Sequence, residues 1–255
     1  MRIPFDARSA AAIRLQGESD TACLLLHGLT GAPGRDMWFL AEFLHAQGIS
    51  VYAPLLTGHG ATWEELRHAT APDWQKDAVR SLEEVSTGTH HVFVLGLSMG
   101  GVLALYLAEH APAVDGVITI NTPMVIDDWR LRLVPLVRHV RARQPKAPPD
   151  VADTTIELPD LGYNPLDAVY QFLMLIRTVR HDLGLVTQPL LSFRSTQDHV
   201  VPPRNAEVIA RSVNSRYKSI VTLDRSYHVA TIDFDRQKIA ALTYQFMMMV
   251  RDKQI

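Results

Sequence analysis

The chain has almost no cysteine. Cys23 is the only one among 255 residues, so no disulfide can form within the chain, and a reducing compartment is expected. Long hydrophobic runs are also missing. No stretch approaches the ~18 apolar residues of a membrane span, which argues against stable membrane insertion. Nor does charge of one sign dominate. Lys and Arg total 25 against 27 Asp and Glu, for a net charge of -2, and no basic block with interleaved aromatics occurs, so nucleic acid is not an expected partner. Internal repeats and low-complexity tracts are absent as well. The opening residues, MRIPFDARSAAAIRLQG, lack the continuous apolar segment of a secretory signal. Together with the lone thiol, this gives the expectation of a cytoplasmic protein.

What is present is a 47% hydrophobic chain, long enough for one large core and an insertion. Short apolar runs bounded by turn residues recur at 21–26, 49–53, 92–97, 117–120, 190–194 and 219–223. They read as fully buried strands. Between them lie segments of helical period, carried by Met37, Leu40, Ala41 and Leu44, by Trp74, Ala78, Leu82 and Val85, and by Ala206, Ile209 and Val213. This alternation predicts an α/β fold with a mostly parallel sheet covered on both faces. A helix over 99–108, apolar nearly all round, and a C-terminal helix over 237–251 complete the covering layers.

The rhythm breaks over 121–187, a segment without strand signals. It predicts a helical cap inserted between core segments 1–120 and 188–255. Its first part interleaves Trp129, Leu131, Leu133, Leu136 and Val140 with arginines, a pattern of cap-to-core packing with a solvated basic face. A proline-rich stretch over 144–150 follows, and then a second apolar stripe that includes Leu173 and Met174. These two are expected to line the substrate pocket.

One serine stands where chemistry is expected. Residues 90–108 run a β-branched, apolar stretch into Gly96-Leu97-Ser98-Met99-Gly100 and on into a good helix former. Such a G-x-S-x-G string acts as a nucleophile elbow only between a buried strand and a helix, and both flanks are present. The glycines keep the tight turn free of collisions, and the new helix aims its unpaired N–H groups at a developing oxyanion. A serine hydroxyl needs a base, and the base needs an anion to fix its tautomer. Asp198 lies a few residues past a strand in LLSFRSTQDHVVPP, and His228 follows the last strand in SIVTLDRSYHVATID, giving the order Ser, Asp, His. Asp224 and Asp233 are the nearby competing acids, Asp233 suiting a helix N-cap better. His199 adjoins the acid but is expected to point elsewhere. The backbone N–H groups of Leu29 and Met99 are assigned to the oxyanion hole, Leu29 because His27-Gly28-Leu29-Thr30-Gly31 turns inward after the first core strand. His27 and His59 read as structural histidines.

Together HGLTGAP, PLLTGHG, GLSMGG, DHVVPP and SYHVATID resemble the small bacterial carboxylesterases and monoacylglycerol lipases of the α/β-hydrolase superfamily, from about residue 21 onward. The resemblance implies the α/β-hydrolase fold with an eight-stranded or trimmed core, a small helical cap, no cofactor and no metal, and a preference for medium-chain acyl esters. It puts the nucleophile, acid, base and oxyanion donors on Ser98, Asp198, His228, Leu29 and Met99. Monoacylglycerol lipases of this group carry a glutamate after a cap tyrosine. Here Asn164 follows Tyr163, so glycerol recognition is expected to weaken, and Asn164 before Pro165 also suits a helix cap. The expected function is a serine carboxylic-ester hydrolase whose partner is a small ester. A C–C bond hydrolase or lactonase with the same triad, and a non-catalytic module that senses a small ligand, stand as alternatives. Sequence alone leaves the oligomeric state open.

Overall fold

The computed structural model describes residues 10–156 and 162–255. Most of the opening segment read for targeting, residues 1–9, and the part of the expected cap at 157–161 lie outside the described residues. A seven-stranded sheet forms the core. Its strands are β1 (Ile13–Leu15), β2 (Thr21–Leu26), β3 (Ser50–Ala53), β4 (His91–Leu97), β5 (Gly116–Ile120), then β8 (Leu190–Ser195) and β9 (Lys218–Leu223). Their spatial order is β1-β3-β2-β4-β5-β8-β9, all parallel except β1, which runs antiparallel to β3 with Ile13 opposite Ala53. Six of the seven coincide with the apolar runs. Only β1 has no counterpart among them, because a half-buried three-residue edge strand has neither an apolar run nor an alternation long enough to read.

The sheet's two faces are legible in β2, where alternate side chains enter different cores. Ala22, Leu24 and Leu26 pack with α3 (Ala71–Ser86), α4 (Met99–His110) and α6 (Leu166–Asp182). Cys23 and Leu25 pack with α1 (Trp38–Ala46) and α8 (Arg236–Arg251). Cys23 is fully buried, and desolvation pushes its thiol pKa up, so it is an inert core residue. Helix α3 starts on a capping box in which Thr70 and Asp73 satisfy each other's backbone N–H groups. None of the described helices is long and apolar enough to cross a membrane.

Chain order places the site. From β2 the chain moves outward to β3, whereas from β4 it moves the other way to β5. The loops leaving the carboxyl ends of β2 and β4 therefore diverge and open a crevice between them. Residues 27–31 and the turn at Ser98 border it.

Between β5 and β8 the chain leaves the sheet. It forms a 3₁₀ turn (Trp129–Leu133), α5 (Val134–Val137), a two-stranded ribbon of β6 (Arg143–Pro145) and β7 (Tyr163–Pro165), and then α6. The ribbon corrects the expectation of a strand-free excursion. Its strands are three residues long and each contains proline, so no β periodicity marks them. Arg143 fastens the ribbon by stacking over Trp63 at 4.3 Å and Tyr163 at 3.9 Å. The remaining helices are α2 (Trp63–His68) and α7 (Asn205–Ser212).

Candidate active site

Ser98 occupies the sharp turn between β4 and α4 with φ 54° and ψ -115°, a conformation that costs a non-glycine residue of the order of 1 kcal/mol or more. The surroundings enforce it. A Cβ on Gly96 would lie 2.0 Å from the backbone of Gly100, so the turn closes only with glycine there. The Ser98 N–H donates to the Ile120 carbonyl at 2.9 Å. Its side chain makes no capping hydrogen bond to the helix it precedes, which leaves the hydroxyl for other work.

Ser98 and His228 line one cavity of about 310 Å³. His228 Nδ1 donates to Asp198 Oδ2 at 2.9 Å, and the Asp198 side chain is 1% exposed. An ionised carboxylate only accepts, so this bond puts the ring proton on Nδ1 and leaves Nε2 as the basic nitrogen. Asp198 Oδ1 is occupied by the N–H groups of Val200 and Val201, at 2.8 and 2.7 Å. These bonds fix the carboxylate plane. Asp224 is exposed and makes no such contact. Asp233 is buried but does not cap α8, contrary to expectation. Its oxygens accept the N–H groups of Ala152, Asp153, Tyr227 and Phe234.

The opposite wall carries Gly28 and Leu29. The Gly28 carbonyl accepts from the Gly31 N–H at 3.0 Å and from His27 Nδ1 at 2.9 Å, while His27 Nε2 accepts the Leu56 N–H at 3.2 Å. Burial holds the His27 pKa well below the usual imidazole value, which matches this neutral, one-donor, one-acceptor arrangement. In a trans peptide N–H and C=O point oppositely, so pinning the Gly28 carbonyl turns the Leu29 N–H the other way. His59 Nε2 donates to the Leu29 carbonyl at 2.7 Å and fixes the next peptide. Among the described residues, the Leu29 and Met99 N–H groups have no acceptor in the protein. Both histidines thus support the loop.

Asn164 lines the cavity, beside Gln144, to which it is registered across the ribbon. It does not cap α6, whose first turn begins after Pro165 without a side-chain cap. Leu173 and Met174 require correction. They line a separate cleft with Met124, Ile126 and Arg177, and the α6 residues that face Ser98 are Val169 and Phe172. A helix turns 100° per residue, so Val169 and Phe172 lie about 60° apart, whereas Met174 lies about 140° from Val169 and about 160° from Phe172. The stripe reads from the sequence, but which side of it meets the cavity depends on packing.

Other residues at the site have no catalytic motif around them. Asn121 sits at φ 45° at the end of β5, donates to the Ser195 hydroxyl and the His228 carbonyl at 3.0 and 2.8 Å, and accepts the Ser195 N–H. An asparagine after an apolar strand is a fair signal for such a backbone conformation. Asp150 accepts from His199 Nδ1 at 2.7 Å, so that ring bonds Asp150 and not the neighbouring Asp198. Among the described residues, no group of three or more His, Cys, Asp or Glu could hold a metal ion.

Fold and site together define an α/β-hydrolase. Residues 17–235 match the Hydrolase_4 family, described as serine aminopeptidase, S33, and the chain belongs to that family. It is 35% identical to a thermostable monoacylglycerol lipase of Bacillus sp. (strain H-257), over 88% of each chain. It is 29% identical to a carboxylesterase of Bacillus subtilis (strain 168), over 89% of this chain and 92% of the relative. A solved structure from work on LipS and LipT, two metagenome-derived lipolytic enzymes, superposes with a TM-score of 0.90 at 31% identity, covering 97% of this chain and 99% of that one. The protein is a serine hydrolase of the carboxylesterase and monoacylglycerol lipase type.

Proposed function

We propose that the protein hydrolyses short- to medium-chain acyl esters through an acyl-enzyme formed on Ser98. His228 Nε2 takes the Ser98 proton as Oγ adds to the ester carbonyl, and the resulting imidazolium is held by Asp198. The oxyanion is met by the N–H groups of Leu29 and Met99, at the crevice wall and at the N-terminus of α4. Collapse expels the alcohol, which receives the proton from His228. Water then repeats the sequence and releases the acid. The observation that carries this reading is that His228, whose Nδ1 is bonded to a buried Asp198, lines one cavity with Ser98.

The acyl preference follows from volume. At roughly 30 Å³ for each water-sized group, the cavity of about 310 Å³ takes about ten non-hydrogen atoms. Leu29, Leu131, Val169, Phe172, Val200 and Val229 supply its apolar wall, and Gln144 and Asn164 supply polar groups at the ribbon. Each CH₂ buried there contributes ~0.8 kcal/mol, about fourfold in kcat/KM, until the cavity is full. Monoacylglycerols enter as substrates on the strength of the 35% identical relative, with Asn164 as the hydroxyl partner. We take residues 121–187 as a cap inserted between core segments 1–120 and 188–255, and the cytoplasm as the compartment.

The test is a series of p-nitrophenyl esters from C2 to C16, run beside monoacylglycerols of the same chains. Turnover should rise to a maximum between about C6 and C12, and Ser98→Ala should abolish both turnover and fluorophosphonate labelling. Turnover surviving in Ser98→Ala would reject the mechanism, and a strict acetate preference would reject the pocket assignment.

A further inference from the structure

Asp150 follows Pro148 and Pro149 at the base of the excursion, with a side chain 15% exposed. Its carboxylate reaches both loops that carry the acid and the base. Oδ2 accepts the backbone N–H of His199, the residue after Asp198, and the backbone N–H of His228 itself, each at 3.1 Å. Oδ1 accepts from His199 Nδ1 at 2.7 Å, and the His199 ring packs edge-on against Tyr227 at 4.6 Å. The Asp150 carbonyl takes the Val229 N–H at 3.1 Å. A return stitch comes from Asp233 on the base loop, which accepts the Ala152 N–H at 2.8 Å and the Asp153 N–H at 3.0 Å while also holding the Tyr227 N–H at 2.9 Å.

A surface loop acid is ordinarily solvated by water. This one has exchanged water for three N–H donors drawn from two loops that are 29 residues apart, as counted from His199 to His228. The bond between Asp198 and His228 needs those loops at one fixed separation, and small displacements of catalytic groups cost about 10² in rate. We propose that Asp150 is a positioning residue for the hydrolysis described above, on which this inference rests. Its carboxylate clamps the acid loop to the base loop and ties both to the excursion. It touches the backbone of His228 and not the ring, so it acts through geometry. The excursion is thereby part of the catalytic scaffold as well as a roof, and moving its base loosens the dyad.

The experiment measures kcat and KM on a medium-chain p-nitrophenyl ester for Asp150→Ala, Asp150→Asn and Ser98→Ala, with thermal unfolding of each. Asp150→Ala should lower kcat by about 10- to 100-fold with KM within about threefold. Asp150→Asn should stay within about threefold of wild type in both, because its amide oxygen can still accept the two backbone N–H groups and its NH₂ can face His199 in the other tautomer. Should Asp150→Ala fail to fold, Asp150→Ser, too short to bridge the loops, is read against the same limits. A kcat within twofold of wild type for the truncated variant, a loss confined to KM, or an Asn variant as impaired as Ala would overturn the proposal. Activity in Ser98→Ala would instead reject the triad. An inactive Ser98→Ala beside a fully active Asp150→Ala rejects this clamp alone.

Discussion

Replacing Glu109 by glutamine should stabilise the protein at alkaline pH and leave it little changed at mildly acidic pH. Glu109 lies in the last turn of α4, its side chain has no exposed surface, and neither carboxylate oxygen accepts a hydrogen bond among the described residues. Burial and the neighbouring charge of Asp182 raise its pKa from the ordinary 4.5 to about 8. In the unfolded chain the same group titrates near 4.5. Between these values the folded state binds a proton that the unfolded state has released, so stability falls as pH rises from about 4.5 to 8. Each unit is worth about 1.4 kcal/mol at most, and relaxation of the site and water penetration around the buried charge reduce the realised loss to about 1–2 kcal/mol. Glutamine has the same shape and no charge to bury. At about 2–4 °C per kcal/mol for a chain of this size, Glu109→Gln should gain roughly 2–8 °C in Tm at pH 8.5 and about nothing at pH 5. Scanning both proteins by differential calorimetry at pH 5, 7 and 8.5 measures this. A Tm difference independent of pH, or a wild type more stable than the variant at pH 8.5, would refute the reasoning. Ester turnover should not change, because eleven residues of helix separate Glu109 from Ser98 by roughly 16 Å.

Two further outcomes test the walls of the site. His27→Leu removes the donor to the Gly28 carbonyl and the acceptor of the Leu56 N–H, both buried. It should lower kcat by about 10- to 100-fold through the freed Leu29 peptide, short of the ~10² to 10³ lost with a whole oxyanion donor, and steady-state kinetics showing unchanged kcat would remove His27 from that role. Phe172→Ala, on the α6 face that lines the cavity, should shift the optimum of the acyl series to longer chains, whereas Met174→Ala, facing the other cleft, should leave that optimum in place.

How far the molecule could be read from its sequence depended on what each feature needed for its definition. A parallel strand covered on both faces has to be apolar at every position, so β2, β4 and β5 announce themselves as runs such as TACLLL and HVFVLGL. The elbow at Ser98 is equally local, since strand, glycines and helix lie within one continuous segment. Leu173 and Met174 line a different cleft, which the sequence does not show because helical period identifies an apolar stripe without saying which part of it a neighbour covers, and α6 packs on α4 and α2 while Val169 and Phe172 meet the cavity. The ribbon is hidden in the sequence for the opposite reason, its strands being too short to show any period. Among the polar residues the division is chemical. Asp198 could be picked out before its neighbours were known, because the mechanism demands an imidazole as its partner and His228 stands where the fold requires one. Asp150 binds mainly backbone N–H groups, which every residue but proline carries. A carboxylate with partners of that kind has no complementary residue type elsewhere in the chain to betray it, and only the meeting of three distant segments makes it visible.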